Sequence, residues 1–410
     1  MNWDRKALQP LRAELERILR PNQLISDAEK RAPYGHDESD TADFLPDLVA
    51  IAEDAQQVSE IFKACQRHKV PFTPVAGRSG KSGGSLPLYG GLSVSFERMN
   101  RILRISKEDL TAVLQPGVIT GELMKAAEEV GLFYPPDPNS WDWCTIGGNV
   151  AENAGGPRAL KYGVTKDYVL ALEWVLPDGE IVRVGKNTIK GVAGYDLVGL
   201  FVGSEGTLGV ATEITLQLLP RPRHVKTALV CFPTVHHAAK ALTAVLASGV
   251  LPRTLELLDD ISVKAAATKG IVFPEGTGAA VIVEVDGNHD DGLFEELVQV
   301  GEVCDAHGAT ETVVAQDESQ REKLWAARRV LSIALRAMKP HKISEDIAVP
   351  RSKIPEVIER LKKLGEELNL TVATYGHAGD GNLHANILYD SKADRPRVEQ
   401  AIEKMLRITV

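Results

Sequence analysis

Cysteine is scarce: 410 residues hold four, Cys65, Cys144, Cys231 and Cys304, with no C-x-x-C spacing among them. That excludes a disulfide framework, a cysteine zinc site or an iron–sulfur cluster in this chain and fits a reducing, cytoplasmic setting. A basic excess is also missing. Lys plus Arg number 47 against 56 Asp plus Glu, a net charge of −9, so no cationic surface is on offer to a phosphate backbone and no nucleic acid partner is expected. No segment approaches the roughly 18 uninterrupted apolar residues of a membrane span. Residues 1–20 are charged throughout and lack an apolar core, so a secretory signal is not expected either. Low-complexity tracts and fixed-period repeats are absent. What is there is 44% hydrophobic and 25% charged, a mixture that buries cores, and a length that at roughly 150 residues per domain predicts two or three domains.

The pattern along the chain changes twice. Residues 1–45 read as a helical lead-in, with a helix over Arg5–Leu19 and a charged stretch from Tyr34 to Asp40. From Pro46, a strand at Leu48–Ile51 is followed by Asp54, a capping residue, and by Val58, Ile61, Phe62 and Cys65 at helical spacing. A strand at Pro71–Val75 runs into a glycine-rich loop. A helix over Thr120–Val130 stops at Gly131, and Pro177-Asp-Gly179 reads as a hairpin turn. Pro220 and Pro222 then mark a boundary, which gives a first domain over 46–220 and a second over 221–410. The second alternates strand and helix, predicting a sheet with helices on one face and one long helix over Glu318–Met338.

Three loops carry the chemistry of the first domain. Gly77-Arg-Ser-Gly-Lys-Ser-Gly-Gly84 follows a strand and can cradle an anion, although it matches neither the P-loop nor G-x-G-x-x-G. Alone it reads equally as an ordinary hairpin loop. Pro135-Pro-Asp-Pro138 and Cys144-Thr-Ile-Gly-Gly-Asn-Val-Ala-Glu-Asn-Ala-Gly-Gly156 put small residues and amides where close backbone approach is required, and Gly203-Ser-Glu-Gly-Thr-Leu-Gly209 repeats the theme. Together they imply a long, polar ligand. In the second domain His377 and His384 flank Ala378–Leu383; if that segment is a hairpin turn, the imidazoles converge and can share a metal, whereas isolated histidines more often satisfy local contacts. Arg328 and Ser332 share a helix face, suited to a carboxylate or to a solvated ion pair.

The combination Ser82-Gly-Gly84, Thr145-Ile-Gly-Gly148, Gly203-Ser-Glu-Gly-Thr207 and Gly376-His-Ala-Gly-Asp-Gly-Asn-Leu-His384 resembles the FAD-linked oxidases and dehydrogenases of the vanillyl-alcohol oxidase/PCMH superfamily, in the branch of D-lactate dehydrogenases and glycolate oxidase flavin subunits. The resemblance implies an α+β fold: a PCMH-type FAD-binding domain followed by an α+β, ferredoxin-like substrate or cap domain. It implies that Gly77, Ser79, Gly80, Ser82 and Gly83 hold the FAD pyrophosphate. Pro135, Asp137, Thr145, Gly148, Asn149 and Asn153 would line the flavin, with Glu205, Gly209 and Val210 toward the adenosine side. The usual Gly-x-Gly-Thr of the first loop is here Ala76-Gly-Arg-Ser79, so Arg78 either points outward or adds a phosphate contact. No histidine in that loop argues for non-covalent FAD.

On the substrate side the resemblance implies that His377 and His384 bind zinc or another divalent metal, and that Arg328, Ser332, Lys342 and Asn386 hold the substrate's oxygens. The family continues into a Gly-Glu-His-Gly motif carrying a third metal ligand and the catalytic base. That motif is expected beyond Val410, so the chain reads as truncated or as a degenerate member. The implied reaction is oxidation of a D-2-hydroxy acid, D-lactate or glycolate, to the 2-oxo acid by hydride transfer to flavin N5. A separate electron acceptor follows: a quinone, an electron-transferring flavoprotein, an iron–sulfur subunit or oxygen. The alternative is a non-catalytic flavin subunit that relays electrons or scaffolds a glycolate-oxidising complex. His236-His237, Glu345-Asp346, Trp141 and Trp143 read as structural or solvated residues.

Overall fold

In the computed structural model, which describes residues 3–39 and 43–409, the chain divides into two units. One comprises Met1–Gly156 and Gly163–Arg221; the other comprises Pro157–Tyr162 and Pro222–Val410. Asp40, at the end of the charged stretch, and Val410 lie outside the described residues.

The first unit contains two larger sheets. One has the order Leu24–Ile25, Leu48–Ile51, Leu92–Ser95, Phe72–Val75, with the last three strands parallel. The helix Ala55–His68 connects two of them. Asp54 Oδ1 accepts from the Gln57 N–H at 2.8 Å to start it, and Val58, Ile61, Phe62 and Cys65 all turn into the core. Residues 1–45 are not a separate lead-in. The helix Leu8–Ile18 buries Leu11 and Leu15, at i and i+4, in the same core, and Leu24–Ile25 adds an edge strand. Each such fully buried leucine stabilises by about 1.5–3 kcal/mol, enough to recruit the segment. The second sheet is antiparallel: Ile102–Ser106, Thr111–Leu114, Val210–Gln217, Val169–Val175, Ile181–Gly185. Its last two strands are joined through Gly179, which takes φ +87°.

The second unit is one seven-stranded antiparallel sheet. In chain order its strands are His224–Phe232 (β1), Thr254–Leu258 (β2), Ala279–Gly287 (β3), Glu311–Val314 (β4), His341–Ala348 (β5), Thr371–His377 (β6) and Asn382–Tyr389 (β7). Their order across the sheet is β4-β1-β3-β2-β6-β7-β5. Helices cover both faces, not one. On the first face, Val235–Ala247 (α1), Asp290–Ala306 (α3), Ile354–Leu368 (α6) and Arg395–Thr409 (α7) pack against Val230, Leu257, Val283 and Ile387. On the second, Asp260–Ala267 (α2), Glu318–Arg329 (α4) and Leu331–Met338 (α5) pack against Leu229, Leu258, Ile282 and Ala373. The long helix expected over Glu318–Met338 is thus two helices meeting at Val330. Because β2 and β3 are buried on both faces, their sequences read as apolar runs interrupted by carboxylates.

One of those carboxylates, Asp286, holds the six-residue excursion Pro157–Tyr162. Asp286 on β3, its side chain fully buried, accepts from Lys161 Nζ at 2.6 Å and Tyr162 Oη at 2.8 Å. Arg253 reaches Asp286 at 3.2 Å and Glu284 at 2.8 Å. Glu284 also accepts from Thr227 Oγ1 at 2.7 Å and Trp325 Nε1 at 3.0 Å. Breaking a buried pair by removing one partner typically costs about 3–5 kcal/mol. Asp286→Ala is therefore expected to lower the second unit's melting temperature, followed by thermal circular dichroism, and to speed tryptic cleavage after Lys161. An unshifted melt with unchanged cleavage would show that Asp286 does not hold the excursion.

Candidate active site

The three glycine loops of the first unit meet. A Cβ on Gly77 would lie 3.2 Å from Cys144 Cα and from Thr145 N, and one on Gly148 would lie 3.3 Å from Ala76 Cβ. The first and second loops therefore touch through positions where a larger residue would separate them. Thr145 caps the helix Ile146–Glu152, and the third loop docks on that helix: Gly203 N donates to Val150 O and Glu205 N to Ala151 O, both at 2.9 Å. Asp137 lies against Gly156, and Gly209 against Val175 and the Trp174 indole, whose Nε1 donates to Leu208 O at 3.0 Å. Val210 begins the strand that follows.

Several expected ligand contacts have internal work. Asn149 Nδ2 donates to Thr120 Oγ1 at 2.8 Å, and Asn153 Oδ1 accepts from Lys166 N at 2.9 Å. Arg78 sits at φ +58°, in the left-handed region, with its guanidinium 5.0 Å from the centre of the Tyr34 ring. A Cβ on Gly80 would meet nothing within 4 Å. Ser204 Oγ is buried without a hydrogen-bond partner among the described residues.

In the second unit the polar residues gather on the face covered by α4 and α5. The segment between the two histidines is a hairpin, pairing Tyr375 with His384 and His377 with Asn382. The two imidazole centres stand 5.1 Å apart at 82°. Each ring has its Nδ1 on a carboxylate: His377 on Glu256, His384 on Asp346 at 2.5 Å. Asp346 is solvated, as expected, and is also the partner of His384. Arg328 is buried rather than solvated; its Nε donates to Glu256, and its guanidinium lies 4.6 Å from the centre of the Tyr375 ring. No hydrogen bond to its two Nη groups occurs among the described residues. Lys342 Nζ lies 3.2 Å from both Ser332 Oγ and Asn386 Oδ1. Arg328, Ser332, Lys342, Asn386, His377 and His384 therefore stand on one face, together with Glu256, Asp346 and Tyr375.

The electrostatics follow from burial and pairing. Burial alone would raise the Glu256 carboxyl, but the His377 and Arg328 charges outweigh it and hold it at about 2. Burial works against the charged His377 imidazole, yet Glu256 lifts it above the ordinary histidine range. For His384, burial outweighs Asp346 and lowers it. The two rings are thus biased toward different protonation states.

Comparison with known proteins adds the family. Residues 46–185 match the FAD binding domain, and residues 221–410 match the C-terminal domain of FAD linked oxidases. The glycolate oxidase subunit GlcD of Bacillus subtilis (strain 168) is 38% identical over 398 residues, 96% of this chain and 84% of that one. The chain belongs to the FAD-linked oxidases. A D-lactate dehydrogenase of Anaerostipes hadrus is 36% identical to this oxidase, covering 89% of it and 78% of the relative. A D-2-hydroxyglutarate dehydrogenase of Stutzerimonas stutzeri is 33% identical, covering 93% and 83%. Among solved structures, p-cresol methylhydroxylase with substrate bound aligns at a TM-score of 0.81 and 16% identity, covering 99% of this chain and 88% of that one, which supports the fold.

The first unit of the oxidase fits its family's cofactor: three converging backbone loops, open space beside Gly80 and an orphaned hydroxyl at Ser204 suit a polar group with phosphates. Metal is a different matter. Among the described residues no three His, Cys, Asp or Glu side chains gather as a metal site. No described helix is long and apolar enough to cross a membrane. Sequence reasoning missed Glu256. Its one signal is a carboxylate inside the apolar strand Thr254–Leu258, which must find cations if it is buried.

Two outcomes are expected. Gly77→Val should drive the first two loops apart and reduce the flavin-to-protein absorbance ratio of the purified oxidase by at least about tenfold, while Gly301→Ala, whose Cβ meets nothing, leaves it unchanged. Second, a histidine raised on folding adds stability below its unfolded value, near 6.5, and loses it as pH rises through the folded value. In chelator-treated protein the gap in melting temperature between the parent and His377→Asn should therefore be wider at about pH 5.5 than at about pH 8.5. A gap that widens with pH contradicts the pairing.

Proposed function

We propose that this oxidase converts a D-2-hydroxy acid of the glycolate or D-lactate type to the corresponding 2-oxo acid. The observation that carries this reading is the division of labour on Arg328: Nε is taken by Glu256, the guanidinium carbon lies over the Tyr375 ring, and the two Nη groups are left for a ligand. A carboxylate matches such a fork with two parallel charge-assisted hydrogen bonds. Lys342, Ser332 and Asn386 add a cation, a hydroxyl and an amide on the same face. The relatives named for glycolate, D-lactate and D-2-hydroxyglutarate, all 2-hydroxy acids, support the same class.

FAD, held non-covalently, supplies the acceptor for the hydride on the substrate's Cα. The chain's own residues orient the acid by its carboxylate and present the Nε2 atoms of His377 and His384 toward its hydroxyl. Those two Nε2 atoms are also the ones that would hold zinc or another divalent ion, whose contribution would be Lewis acidity at the hydroxyl oxygen. A separate acceptor, a quinone, an electron-transferring flavoprotein, an iron–sulfur subunit or oxygen, would take up the two electrons. A second reading, a flavin subunit that relays electrons without oxidising substrate itself, draws support from the word "subunit" in the name of the Bacillus relative.

The test is anaerobic mixing of FAD-loaded protein with glycolate, D-lactate and D-2-hydroxyglutarate. Loss of the oxidised flavin's visible absorbance with at least one acid is expected. A spectrum that none of the three changes would overturn the oxidation reading in favour of the relay. Lysine at position 328 can pair with Glu256 or with substrate but not with both, so Arg328→Lys should cost about one to two decades in kcat/KM.

A further inference from the structure

Glu256 stands in the middle of β2, in register with Ile282 of β3 and one residue before the Leu257–Gly376 pair with β6. Neighbouring strands therefore fix its backbone on both sides, and its side chain is wholly buried. One oxygen pairs with Arg328 Nε and the other with His377 Nδ1. We propose that Glu256 is a positioning residue for the bound acid, one rigid carboxylate that sets the plane of the guanidinium and the tilt of the imidazole together. The inference rests on reading this face as the 2-hydroxy acid site.

The physical case begins with freedom. A free arginine side chain carries about 2 kcal/mol of rotamer entropy, and a ring nitrogen aims only as well as the ring is held. Bonding Nε to a fixed carboxylate and seating the guanidinium over the Tyr375 ring removes that freedom before a ligand arrives and leaves the two Nη groups available as a pair. Engaging Nδ1 of His377 likewise turns Nε2 away from Glu256, the arrangement by which a carboxylate orients a working histidine. Because both partners share one anchor, the carboxylate end and the hydroxyl end of a 2-hydroxy acid are held at one fixed spacing. The competing role is charge compensation alone: two buried cations need a nearby anion, and any buried carboxylate would serve.

Glu256→Asp separates the two roles, since it keeps the charge but is one methylene too short to reach both partners. Its companion is the double variant Glu256→Asp/Arg328→Lys. The probe is oxalate, titrated calorimetrically into the full, FAD-loaded chain, alongside steady-state kinetics with whichever acid bleaches the flavin. Positioning predicts a parent-like FAD content, oxalate affinity weakened by about tenfold or more, and kcat/KM lowered by about a hundredfold because misorientation is felt again at the transition state. It also predicts that the Asp substitution does much less harm once Arg328 is lysine, because it acts through the arginine fork. Glu256→Gln adds a test of sign: loss of a negative charge should tighten oxalate if the role is compensation and weaken it if the role is orientation. Unchanged oxalate affinity in Glu256→Asp, additive effects in the double variant, or a parent that does not bind oxalate each overturn the proposal. A parent that binds oxalate and follows this pattern, yet is bleached by no 2-hydroxy acid, upholds Glu256 and overturns only the oxidation reading.

Discussion

A carboxylate sealed inside a protein needs cations or hydrogen-bond donors close by, and Glu256 meets that requirement with two cationic side chains. Removing one partner from such a buried cluster costs about 3–5 kcal/mol, so the identities of Arg328 and His377 are tied to that of Glu256. The dependence spreads outward. Tyr375 lies beneath the Arg328 guanidinium, His384 pairs across from Tyr375, and Asp346 bonds to His384. The face that carries the candidate chemistry is thus a set of charges each of which exists in its present form because another neutralises or orients it. A similar logic runs along β3, where Glu284 and Asp286 collect Arg253, Lys161, Tyr162 and Trp325.

What could be read from the sequence follows from which constraints are local. Gly77 and Gly148 announce themselves because close backbone approach forbids a Cβ there, and the Asp54 cap and the Val58–Cys65 stripe because helix geometry is periodic. The histidine hairpin is legible for the same reason: Gly376, at φ +144°, and Gly381, at φ +92°, bracket a turn between apolar strands. Fixing which residues face each other took the register, which no single strand encodes.

The rest depends on partners far away in sequence. Glu256 lies 72 residues from Arg328 and 121 from His377, so no motif spacing links them, and in Thr-Leu-Glu-Leu-Leu258 the strand reads as ordinary. The break at Val330 has neither proline nor glycine to mark it, since the side chains on both sides of it keep a helical rhythm. Residues 1–45 look polar enough to stand apart, yet Leu11 and Leu15 suffice to draw their helix into the first core. Helices on one face or both cannot be told from strand alternation once strands are apolar on both sides, as β2 and β3 are.

The excursion Pro157–Tyr162 has a consequence for how the molecule is made. Synthesis runs from the N-terminus, and domains tend to fold as they emerge. Leu160, Lys161 and Tyr162 leave the ribosome more than a hundred residues ahead of Asp286 and Gly379, against which they come to rest. For that interval the first unit has both of its chain segments joined through six residues with nowhere to dock. The later-made sheet must then assemble around a piece already supplied. Neither half corresponds to an uninterrupted stretch of the gene, so a cut at the proline boundary would divide the polypeptide without dividing the fold.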